Sequence, residues 1–172
     1  MRFLNVLPIV VFGAVFALSG CSEESHTAEV YGTVYWEEAH IITDSIDTTK
    51  QDTIFYLNPA PNVQVYLEQD QSSDIPYQGE DLYTTTDNNG EYSFTVYLGR
   101  NYDANDYMFD ELHMCDVRLY YLWTPNGKYK LHEGDTAYIA GQLSTEVTGF
   151  TIKSGERVKA PDVVVGNVYF RQ

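Results

Sequence analysis

Thr84-Thr85-Thr86-Asp87-Asn88-Asn89-Gly90-Glu91-Tyr92-Ser93-Phe94 reads as two strands joined by a tight turn. The Asp87 carboxylate can accept hydrogen bonds from backbone amides ahead of it. Gly90 can take a positive φ and close the turn. Tyr92 and Phe94 then sit on one face of the returning strand, which continues through Val96 and Leu98 with Ser93, Thr95 and Tyr97 opposite. Alternation with period two is the signature of a half-buried strand.

The same alternation recurs on either side. Val63, Val65 and Leu67 alternate with Gln64, Tyr66 and Glu68. Val117, Leu119, Tyr121 and Trp123 share one face of a later strand, Phe150 and Ile152 begin another pair, and Val163 and Val165 mark the last. Asn58-Pro59-Ala60-Pro61 and Thr124-Pro125-Asn126-Gly127 read as turns. All 15 tyrosines lie beyond residue 20, among many Val and Thr residues, which is β composition. No amphipathic helix of useful length and no fixed repeat is visible. The expectation is an all-β chain of about eight or nine short strands in a sandwich.

Three pieces carry a resemblance: Val30-Tyr31-Gly32-Thr33-Val34, Pro59-Ala60-Pro61-Asn62-Val63-Gln64-Val65-Tyr66-Leu67, and the Thr84 to Phe94 hairpin. In that order they resemble the carboxypeptidase regulatory-like domain, a Greek-key β-sandwich of the transthyretin (prealbumin-like) kind. In the first piece, Gly32 stands where a side chain would crowd a neighbour. The match covers residues 30–98 well and the remainder loosely. Two insertions depart from it, at 37–57 and 99–114. The first holds a strand-like run of its own, Thr53-Ile54-Phe55-Tyr56-Leu57. Loops on a rigid scaffold often carry recognition, so function is expected in these insertions.

The N-terminus has the layout of an export signal, with Arg2 followed by an apolar run from Phe3 to Leu18. That run is about 16 residues, short of the roughly 20 that span a bilayer. Asn5 and Pro8 weigh further against an uncleaved membrane helix. Leu18-Ser19-Gly20-Cys21 resembles the lipobox of bacterial lipoproteins. The resemblance implies cleavage before Cys21 and lipidation of its thiol, which makes Cys21 the lipidation site and the membrane a partner through that lipid. Two or three acyl chains hold far more firmly than one, at roughly 0.8 kcal/mol for each buried methylene. The expected organisation is a signal peptide at 1–20, a flexible tether at 21–28 and a sandwich at 29–172. Ser22, in place of the Asp that in lipoproteins often marks inner-membrane retention, points to the outer membrane of the cell envelope. Glu23 and Glu24 resemble a surface-export signal, or serve as a solvated tether; periplasmic and outward-facing placement both stay open.

Net charge is −15. It argues against nucleic acid and against lying on an anionic lipid surface. With Cys21 lipidated, Cys115 is the remaining thiol and no internal disulfide can form. Its apolar strand setting makes it a buried, inert thiol.

Catalytic and metal chemistry is thinly represented. His26-Thr27-Ala28-Glu29 has no second histidine at zinc spacing. His113-Met114-Cys115-Asp116 is half a metal site without a partner set. Serine nucleophile elbows and Gly-rich phosphate loops are absent. Val30 to Trp36 holds no lysine for an isopeptide crosslink. Asn101, Asp103, Asn105, Asp106 and Asp110 are the calcium candidates, oxygen donors at near-alternate positions. An EF-hand would need Gly where Asp106 stands and Glu where Leu112 stands. Trp36, Trp123 and several tyrosines are the aromatic candidates for stacking on sugar rings, provided they are exposed together. The expectation is therefore a non-catalytic, lipid-anchored interaction or structural module without a cofactor, with an unidentified protein or glycan partner. The alternative is a surface lipoprotein that binds glycan or calcium.

Overall fold

The computed structural model describes residues 27–43, 46, 47, 49, 51–98 and 114–171. These form eleven strands and, among the described residues, no helix. The strands are β1 (Thr27–Thr43), β2 (Gln51–Pro59), β3 (Gln64–Gln69), β4 (Leu82–Thr85), β5 (Glu91–Tyr97) and β6 (Met114–Trp123). They continue as β7 (Asn126–Lys130), β8 (Thr136–Ala140), β9 (Leu143–Lys153), β10 (Arg157–Lys159) and β11 (Val163–Arg171).

β1 organises the first sheet. Its first half pairs antiparallel with β5, from Thr27↔Tyr97 to Thr33↔Glu91, and parallel with β10. Its second half pairs antiparallel with β2, from Tyr35↔Pro59 to Thr43↔Gln51, and parallel with β11. The second sheet has the order β4-β3-β6-β9, and β7-β8 is a separate hairpin. Side chains alternate in and out along β5 and β6, so one face of each strand enters the core. Val30, Val34, Val65, Leu67, Phe94, Val96, Val117, Leu119, Ile152 and Val165 fill the space between the sheets. The all-β sandwich is as expected, with more strands than the eight or nine anticipated.

The turn at 87–90 has the expected chemistry. The Asp87 carboxylate accepts from the amides of Asn89 (2.8 Å) and Glu91 (2.9 Å). Gly90 has φ of 75°. Its position is also crowded: a Cβ there would lie 2.3 Å from the Val34 carbonyl oxygen. Val34 N–H donates to the Gly90 carbonyl at 2.8 Å, and Ala60 N–H donates to the Val34 carbonyl at 2.9 Å. Gly32 likewise has no room for a side chain, because the Tyr92 ring lies over it at 2.7–2.9 Å from where a Cβ would stand.

Several boundaries differ from the sequence reading. Thr27 and Ala28 are strand, and Ala28 is buried, so the folded body starts before the expected end of the tether at 28. The insertion at 37–57 is largely strand: it continues β1 to Thr43 and returns as β2, wider than the Thr53 to Leu57 run. Asn126-Gly127 opens β7 instead of making a turn; the reversal is at Leu131–Asp135, where Leu131 N–H donates to the Asp135 carbonyl at 2.7 Å. The strand expected near Phe150 starts at Leu143, since its first half is only partly buried and lacks a run of large apolar residues.

Replacing Gly90 with Ala should destabilise the chain by about 2–4 kcal/mol, the sum of left-handed strain and displacement of a backbone contact. Gly134 has φ of 92° but open space around it, so Gly134→Ala should cost about 1–2 kcal/mol from strain alone. Denaturant unfolding of the two variants measures the difference; equal losses would disprove the crowding at Val34.

Candidate surface site on the second sheet

The outward face of the β4-β3-β6-β9 sheet carries a row of tyrosines. Register places Tyr83 of β4 opposite Tyr66 of β3, and Tyr66 opposite Tyr120 of β6. Ring centroids are 6.4 Å apart for Tyr66–Tyr83 and 6.1 Å for Tyr66–Tyr120. The row runs across the strands and ends beside Glu146 of β9, the partner of Tyr120. Cross-strand aromatic pairs stabilise a sheet by roughly 0.2–1 kcal/mol each. Tyr83 is nonetheless 77% exposed, so burial contributes little toward keeping an aromatic ring there.

Polar side chains flank the row. The Tyr66 hydroxyl donates to Gln64 Oε1 at 3.1 Å. On the other side, Arg118 Nη2 bonds to Glu68 Oε2, and Arg118 Nη1 lies 4.0 Å from Glu146. The hydrogen bond and charge of Glu68 hold the Arg118 guanidinium more firmly protonated than usual.

Behind this strip, Asp70 pins a bulge in β9. The register between β6 and β9 shifts between Val117 and Leu119. Gly149, with φ of 64°, sits in that bulge and donates its N–H to Asp70 Oδ2 at 2.7 Å. Asp70 also accepts from the Ser72 hydroxyl (2.5 Å) and the Ser72 amide (3.0 Å). The Ser72 hydroxyl leads these donors in holding the carboxyl below its ordinary range; the Gly149 and Ser72 amides add to it. Asp116 accepts from the hydroxyls of Ser73 (2.7 Å) and Thr151 (2.5 Å) and so ties the 70–76 segment to the same sheet.

A second polar group is buried beside the β7-β8 hairpin. Glu38 is fully buried on β1. Its carboxylate accepts from Asn58 Nδ2 (3.0 Å) and from the His132 backbone amide (3.1 Å), and it bonds to His40 Nε2. The His132 ring stacks on Tyr56 at 4.0 Å. A buried polar atom stripped of its bonds costs roughly 1–3 kcal/mol, so these contacts fix the hairpin turn against β1 and β2.

The residues singled out from sequence fall elsewhere. Trp36 and Trp123 are each 1% exposed and stack on each other at 6.2 Å, with Tyr129 packed edge-on against both. They are core residues and cannot receive a sugar, which corrects the expectation of an aromatic site there. Removing a buried Trp typically costs about 3–5 kcal/mol. The Trp123 indole N–H donates to the Pro61 carbonyl at 2.9 Å. Cys115 is buried and free, and burial pushes its thiol up to about 12, as befits an inert sulfur. Burial also raises Tyr121 to about 12 and Tyr92 well above the ordinary range; their hydroxyls meet at 2.8 Å between the sheets. Cys21, the tether as far as His26, His113 and the calcium candidates Asn101, Asp103, Asn105, Asp106 and Asp110 lie outside the described residues. Among the described residues no cluster of three or more His, Cys, Asp or Glu side chains is arranged to hold a metal. Tyrosines are stacking candidates from sequence, but which of them share a row depends on the register of three strands far apart in the chain.

No family model matches the chain, and no curated protein does. Among solved structures, a 9R-lipoxygenase from Cyanothece PCC8801 is similar at 14% identity and a TM-score of 0.30. The match covers 87% of this chain and 17% of that one, so the chain spans less than a fifth of the lipoxygenase. A likeness at this score carries no functional meaning for the chain.

A lowered folded-state pKa means that Asp70 stabilises the fold fully above its unfolded pKa of about 3.9 and loses that contribution as pH falls through the lower folded value. The stability gap between the parent and Asp70→Asn should therefore stay level from about pH 7 to pH 5 and narrow toward about pH 2. A gap that stays constant over that range, measured by urea unfolding, would refute the hydrogen-bonded carboxylate.

Proposed function

We propose that this chain is a non-catalytic recognition module of the bacterial cell envelope, held to the membrane by lipid on Cys21. The observation that carries the recognition reading is the tyrosine row on a sheet face whose opposite side already supplies the core. The lipobox resemblance at Leu18 to Cys21 supports the address, and Ser22 favours the outer membrane. The carboxypeptidase regulatory-like resemblance belongs to the same reading, since such domains accompany catalytic domains without being catalytic. Among the described residues, the groups with the largest pKa shifts, Tyr92, Tyr121 and Cys115, are buried in the core. A net charge of −15 keeps the body off an anionic surface.

Mass spectrometry of the N-terminal peptide, combined with protease shaving of intact cells, tests the address. The expected peptide begins at an acylated Cys21. An unmodified Cys21 in a peptide that continues into residues before it rules the anchor out.

A photo-crosslinking residue tests the face. In place of Thr85, which is exposed beside the row on β4, it should trap a specific envelope component in living cells. In place of Ser93, exposed on β5 of the other sheet, it should not. Equal yields at both positions would refute the assignment of this face.

A further inference from the structure

The row of tyrosines and its flanks discriminate between classes of ligand. Aromatic platforms on a sheet suit extended polymers, because successive units stack on successive rings. Tyr83, Tyr66 and Tyr120 offer such a series across three adjacent strands, at centroid spacings of 6.4 and 6.1 Å. Phosphate-bearing polymers are repelled by a chain of net charge −15. The Arg118 guanidinium beside the row is met by Glu68 and Glu146 and offers no uncompensated positive charge. An anionic polysaccharide is disfavoured on the same ground.

An uncharged sugar chain meets both conditions. A pyranose ring has an apolar C–H face, which stacks on an aromatic ring, and a rim of hydroxyls that donate and accept. Gln64, Glu68 and Arg118 supply fixed partners for that rim on either side of Tyr66. The pairing of Arg118 with Glu68 holds both side chains in place before a ligand arrives, which lowers the ordering cost of binding.

We infer that the outer face of β4, β3 and β6 binds an uncharged glycan chain laid across the strands, with sugar rings stacked on Tyr66 and Tyr83. This rests on the recognition-module reading and names its ligand. Tyr120 extends the platform toward Glu146.

The test is native affinity electrophoresis of the full chain in detergent. The gels contain neutral glucan, mannan, xylan or galactan, or anionic polygalacturonate. At least one neutral polysaccharide should retard the parent, and polygalacturonate should not. Tyr66→Ala and Tyr83→Ala should each weaken that retardation about tenfold, the scale of losing a central aromatic contact. Tyr83→Phe keeps the ring and should bind like the parent. So should Tyr97→Ala, which alters an exposed ring on the other sheet. Tyr83 contributes little to the core, so Tyr83→Ala decides the matter if Tyr66→Ala fails to fold. Absence of retardation by every neutral polysaccharide, or equal retardation of parent and Tyr83→Ala, overturns the inference. If the Thr85 crosslink then still traps a protein, the recognition module stands and the glycan falls. If it traps nothing, both fall.

Discussion

The backbone of Val34 is the point on which this fold turns. β1 is 17 residues long and serves two half-sheets in succession. On one side its partner changes from β5 to β2, and on the other from β10 to β11. At the change, Val34 donates to Gly90 and accepts from Ala60, so both turns that end the flanking strands close onto one residue. Thr86 secures the same junction: its hydroxyl donates to the Ala60 carbonyl at 2.7 Å and accepts from the Val63 amide at 2.9 Å. Backbone groups buried this deeply must be paired. The absence of a side chain at Gly90 is what lets the turn approach closely enough to pair them.

That junction sets the division of labour between the two sheets. With β1 fixed, Ala28, Val30, Val34 and Trp36 all point to one side of it, into the core that the second sheet closes. The Trp36–Trp123 stack, capped by Tyr129, fills one end of the sandwich. The β7-β8 hairpin bearing Tyr129 is held in turn by Glu38, which reaches the His132 amide across 94 residues of sequence. Tryptophans at such positions serve packing. Among the outward-facing rings, Tyr66, Tyr83 and Tyr120 form a row on a sheet already supported from its inner side.

Much of the fold was legible because two-residue alternation reports directly which side of a strand is apolar. Val65 and Leu67, Tyr92 to Val96 and Val117 to Trp123 were readable on that basis, and the Asp87–Gly90 turn on its own short-range chemistry. The strands that escaped, β7, β8, β10 and the first half of β9, are partly exposed and carry Lys, Arg, Thr and Glu among few large apolar residues. Asn126-Gly127 imitates a turn locally, but pairing with Ile139 and Ala140 of β8 and the docking of Tyr129 on two buried tryptophans hold it extended. The surface site was legible least of all, because a row across three strands depends on the register of pairings far apart in sequence.

The sequence by itself determined the strand class, the turn at 87–90, the inertness of Cys115 and the expectation of a lipid anchor at Cys21. These are properties of neighbouring residues, set by backbone conformation, local hydrogen bonding and a contiguous motif. Tertiary structure alone decided that Trp36 and Trp123 are buried while Tyr83 is exposed, that Glu38 anchors a distant hairpin, and that three tyrosines form one row. An aromatic residue carries the same chemistry on either face of a strand. Which face it occupies, and which rings become its neighbours, follows from how the sheets pair and stack.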